Sequence, residues 1–175
     1  MAGDRAARSS CGQGRVTLFA TTVLAQAGVL ENSATGTVAS GRADTLTQVQ
    51  AAEDAVLRPV DTGRWSHEMR AALASRIANL NAEPALANRF RAGAGAMASL
   101  ADPAVVGDTN DLVTVLAFMD KVAMAVRDVV ADDIASLQAA GIGDADIVRL
   151  CELNAFLAFQ IRVCVGLRLM RDTSA

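Results

Sequence analysis

The last third of the chain holds the most constraining segment, residues 144–170, DADIVRLCELNAFLAFQIRVCVGLRLM. Ile147, Leu150, Leu153, Phe156, Phe159, Ile161, Val163 and Leu167 leave this stretch with almost no polar side when wound as a helix. A helix apolar nearly all round belongs at the centre of a fold or inside an oligomer. The rest must therefore supply layers that cover it. The 175 residues suffice for one domain with a real core. They include 36 alanines, no tyrosine and one tryptophan. Alanine is the best helix former, whereas strands favour aromatic and β-branched residues, so the expected class is all-α with close packing through small side chains.

Start and stop signals divide the chain further. Residues 1–15 read as a flexible tail and 16–175 as one helical domain. A short helix is expected over 16–30 and a loop over 31–41, ENSATGTVASG. A second helix, residues 44–56, would turn Leu46, Val49, Ala52 and Val56 inward, and Pro59 ends it. Ser66 is placed to cap a long helix whose first turn holds Glu68. Pro84 suits the first turn of the next helix, which dissolves at Gly93–Gly95. After a turn-rich stretch, 101–110, come an apolar helix over 111–126 and another ending near Ala140. Gly141 provides a left-handed stop, and Asp144 would cap the final helix.

Charge and motif content exclude several classes. The net charge is −3, and fifteen scattered arginines with Lys121 form no basic face for nucleic acid. Cys11, Cys151 and Cys164 have neither disulfide-framework nor zinc-site spacing. Asp128, Asp132 and Asp133 read as a solvated acidic face, so no metal and no cofactor are expected. Residues 16–30 follow Arg5, Arg8 and Arg15 and contain Ala25-Gln26-Ala27, which mimics a secretory signal. Asp4, Thr21, Thr22 and Gln26 weaken the mimicry, and no uninterrupted apolar run reaches membrane-spanning length. A cytoplasmic protein without membrane contact is the expectation.

Two segments resemble the carboxymuconolactone decarboxylase and alkylhydroperoxidase D-like superfamily. In residues 66–90, Arg70, Ala74, Arg76, Leu80 and Asn81 match the pattern R-x-x-x-A-x-R-x-A-x-L-N. In residues 133–169, Ala140-Gly141, Ile147-Val148, Ala155-Phe156, Gln160, Arg162 and Gly166-Leu167 match the later helical pattern. The resemblance covers roughly residues 40–170 and is closest to an uncharacterised subgroup. It implies an all-helical domain that forms homo-oligomers, trimers or their multiples. Peroxidase members carry C-x-x-C and a histidine after the L-N pair. Registered on Leu80-Asn81, those positions hold Glu83, Leu86 and Phe90, and the proton-relay glutamate falls at Ala71. The thiol site is thus replaced.

Six residues remain as candidates. Glu83, at a helix start, reads either as a carboxylate general base or as a residue satisfying free backbone N–H groups. His67, the single histidine, reads as a general base or as a solvated turn residue. Asn154, Gln160 and Arg162 interrupt an apolar helix and read as a bonded polar core or a subunit contact, with Arg162 and Arg76 alternatively receiving an anion. The leading functional expectation is a non-catalytic oligomeric, partner or binding subunit. The alternatives are hydroperoxide reduction as in the family, and cofactor-free proton transfer of the decarboxylase type through Glu83 or His67.

Overall fold

Two helices organise the molecule: α4, His67–Leu80, and α8, Asp144–Asp172. The computed structural model describes residues 17–173, which contain helices and no strand. The other α-helices are α1 (Thr22–Ala27), α2 (Ala34–Ser40), α3 (Ala43–Leu57), α5 (Pro84–Arg91), α6 (Asn110–Ala125) and α7 (Ala131–Ala139). Three 3-10 segments, Leu18–Ala20, Gly95–Ala101 and Val126–Asp128, complete the order. The all-α expectation holds.

α8 packs on α1, α2, α3, α4, α6 and α7. Leu150, Leu153, Leu157 and Ile161 form its inward stripe. By length and hydropathy α8 could also cross a membrane, which the sequence reading did not expect; as the packed helix of this fold it is weak evidence for a span. α4 is enclosed more completely, with every residue from Met69 to Ala78 buried. Four alanines among those ten let neighbouring backbones close in, and they leave Arg70, Ser75 and Arg76 away from water. Buried polar groups must find partners or cost about 1–3 kcal/mol each. Arg70 donates to the carbonyls of Val56, Thr62 and Trp65 at 2.9–3.1 Å, and Ser75 to that of Ala87 at 2.8 Å. Arg70 thereby pins the connection between α3 and α4.

The start signals at Ser66 and Pro84 operate as read. Ser66 Oγ accepts from Met69 N–H at 3.1 Å, and Pro84 opens α5. Gly141 is left-handed, at φ 82°. Four readings need correction. Residues 31–41 are not loop, since α2 lies within them, capped by Ser33 Oγ accepting from Gly36 N–H at 2.9 Å. Gly36 is required there, because a Cβ would lie 2.1 Å from the Leu30 carbonyl oxygen. The first helix is broken: Thr21 donates its hydroxyl to Leu18 O at 2.7 Å, which closes a local turn and separates Leu18–Ala20 from α1. Gly143, not Asp144, caps α8, and the Asp144 carboxylate instead accepts from Gln138. Ala52 is exposed, and Glu53 takes the inward place expected for it. The expected tail, residues 1–15, lies outside the described residues.

Candidate functional site

On α3 the stripe Leu46, Val49, Glu53, Leu57 follows helical spacing, and it carries one charge. Glu53 is only 4% exposed. Its carboxylate collects donors from three other helices. Thr22 Oγ1 of α1 donates at 2.8 Å, and Arg89 Nη2 of α5 at 3.2 Å, both to Oε1. Gln160 Nε2 of α8 donates to Oε2 in a close contact. Charge-assisted bonds of this kind are the stronger ones, so Glu53 ties α1, α5 and α8 to α3. Gln160 is fully buried, and its second amide atom, Oε1, has no hydrogen-bond partner among the described residues. The Glu53 carboxylate can only accept, so it takes the N–H end of the amide and leaves Oε1 turned away from it.

Glu53 also borders a cavity of about 270 Å³ between α3, α4 and α5. Ala71 and Phe90 supply apolar wall, and Arg58, His67 and Arg89 supply cationic or titratable groups. His67 Nε2 lies 3.0 Å from the Pro59 carbonyl, which can only accept. An Nε2 proton can therefore donate to it. Arg58 is exposed, and its guanidinium makes no hydrogen bond or ion pair among the described residues. The lining thus joins a buried acceptor, Glu53, and the exposed Asp54 with an imidazole and a cation that is uncommitted among the described residues.

The other candidates are placed as follows. Glu83 is buried at the start of α5, yet its side chain does not cap that helix. Both carboxylate oxygens accept from Arg168 Nη2, at 2.5 and 2.6 Å. The reading of Glu83 as a partner for backbone N–H groups is therefore corrected to an α5–α8 ion pair. Arg76 is 2% exposed and wholly committed: it forks onto Asp120 at 2.6 Å twice and donates to the carbonyls of Leu100, Asp102, Pro103 and Val105. Asn154 is buried and donates to Met119 O at 3.2 Å. Arg162 is exposed and among the described residues bonds only its own helix, at Ala158 O, so it is no member of the polar core. No anion-receiving pair of Arg76 and Arg162 forms, because Arg76 has spent its donors on Asp120 and the carbonyls of 100–105. Asp133 accepts from Lys121 and from Val130 N–H. Among the described residues no group of three or more His, Cys, Asp or Glu is placed for a metal.

Cys151 and Cys164 sit thirteen residues apart on α8, so about 20 Å separates them along the axis, beyond disulfide reach. Burial pushes the Cys164 thiol up to about 11, and burial followed by the charge of Glu152 raises Cys151. A raised pKa means less thiolate at neutral pH and slower attack on any electrophile. Cys11 lies outside the described residues. In a Cys11→Ser background, iodoacetamide at pH 8 should therefore label Cys151 slowly and leave Cys164 unlabelled until denaturant is added. Peptide mass spectrometry checks this; rapid native labelling of Cys164 would contradict the buried placement.

Glu53, Arg58 and Arg89 escaped the sequence reading. The available signal was an acidic residue standing between Val49 and Leu57 on the inner face of α3. Comparison with known proteins finds no matching family model, no matching curated protein and no matching solved structure.

Proposed function

We propose that this chain is a helical binding subunit, of the alkylhydroperoxidase D-like kind without its thiol site, that holds a small carboxylate in the cavity beside Glu53 and assembles with copies of itself. The observation that carries the reading is the pairing within one cavity of a guanidinium uncommitted among the described residues, Arg58, with a buried acceptor, Glu53. A guanidinium suits a carboxylate by shape and charge. Glu53 then selects ligands that also carry a hydroxyl or ammonium donor. The positions that the resemblance assigns to the relay glutamate and the histidine, Ala71 and Phe90, both line this cavity, which supports the family reading. The raised thiols of α8 count against hydroperoxide reduction.

The test is calorimetric titration with short carboxylates, pyruvate, lactate and succinate among them. Arg58→Ala should weaken binding about tenfold or more, from the loss of a charge-assisted hydrogen bond worth roughly 1.5–3 kcal/mol. No measurable heat with any of them would overturn the reading.

His67 sharing the cavity with a carboxylate favours a second reading, cofactor-free proton transfer. That reading requires the protein to speed deuterium exchange at a carbon beside the carbonyl of a bound keto acid, with the gain lost in His67→Gln. The binding reading predicts no gain.

A further inference from the structure

We propose that the outer face of α8 is the contact between two copies of this chain, packed antiparallel about a twofold axis level with residue 157. The proposal rests on the assembly part of the reading above and names its surface.

Residues 148, 151, 152, 155, 159, 162, 166, 169 and 170 fall within an arc of about 100° on α8. Eight of them are exposed, and Gly166 is half-buried. Val148 is 56% exposed, Phe159 46% and Leu169 63%. An apolar stripe of this length on a helix otherwise packed inward is the kind of surface an interface covers. Only two charges interrupt it, Glu152 and Arg162.

Those two charges identify the occupant. Glu152 makes no hydrogen bond or ion pair among the described residues, and Arg162 bonds only Ala158 O of its own helix. They lie five residues either side of position 157. In an antiparallel pair centred there, Glu152 stands level with Arg162 of the other copy, and the pair occurs twice. The same operation sets Ala155 level with Phe159 and Val148 level with Gly166, a small residue facing a large one each time. A twofold contact has to be self-complementary in this way. A parallel pair would instead set Glu152 against Glu152 and Phe159 against Phe159.

Sedimentation of the full chain over a range of concentrations tests the contact. Wild type should form dimers or an even-numbered assembly. Arg162→Glu and Glu152→Arg should each weaken it tenfold or more, while the double reversal, Glu152→Arg with Arg162→Glu, restores it. Both substituted positions are exposed in the single chain, and circular dichroism checks that each variant stays helical. An assembly indifferent to both single reversals would overturn the α8 contact alone, as would a lone trimer, which needs no twofold contact. A wild type monomeric at every concentration would overturn the contact and the assembly part of the proposed function together, leaving the cavity to its own titration.

Discussion

Replacing Arg76 with alanine should cost the fold about 3–5 kcal/mol, the usual penalty for breaking a buried pair from one side. The guanidinium binds both carboxylate oxygens of Asp120 and four carbonyls of residues 100–105. Alanine would remove the arginine donors of a partly buried carboxylate and of four carbonyls, of which Asp102 O keeps the Val105 N–H, and open a gap against α6. Arg76→Lys should fail almost as badly, because one ammonium cannot span acceptors that a planar fork reaches in two directions. Urea unfolding followed by circular dichroism measures both. A loss below about 1 kcal/mol for Arg76→Ala would mean that water readily replaces the arginine.

The second large effect is expected at Glu53. Glu53→Leu keeps the volume but removes the acceptor shared by Thr22, Arg89 and Gln160. Arg89 is 41% exposed and can turn to solvent. The Thr22 hydroxyl and the Gln160 amide are buried and cannot, so the loss should be roughly 2–5 kcal/mol. Glu53→Gln should cost much less. Its oxygen can accept from Thr22, and once the Gln160 amide turns over its own amide can donate to Gln160 Oε1, the atom without a partner among the described residues. Equal losses for the two variants would show that Glu53 contributes by filling space rather than by accepting hydrogen bonds.

The helices with strong punctuation could be read from sequence. Ser66 caps through its own hydroxyl, and Pro84 and Gly141 act through their own backbones, so their effect is local and visible in one dimension. α2 could not, because Thr35, Gly36 and Thr37 are poor helix formers. What keeps them helical is packing of α2 against α3 and α8. The apolar run of α8 correctly announced a central helix. It did not show which residues stay outside, since Phe159 and Phe156 are equally apolar and only the neighbours decide between them.

The candidate site was harder. His67 was singled out for its chemistry, but its relation to Glu53 depends on α3 and α4 folding back across the turn that Arg70 clamps. Glu83 was singled out at a helix start as a general base or a partner for backbone N–H groups; the ion pair it makes instead was not legible, because its partner, Arg168, lies 85 residues away in sequence. Gln160 was chosen as a polar break in an apolar helix, and it does reach the network. Arg162 was chosen on the same ground and falls on the opposite side of the helix, because two residues turn a helix by about 200°.

His67 is the single histidine of the chain, so its imidazole gives one unambiguous signal in the cavity lining. The most direct test of carboxylate binding beside Glu53 is to follow the His67 ring nitrogens by NMR while lactate or succinate is added. The account predicts shifts that saturate in wild type and vanish in Arg58→Ala. Ring signals that stay fixed through the titration, or that move identically in the two proteins, would contradict it.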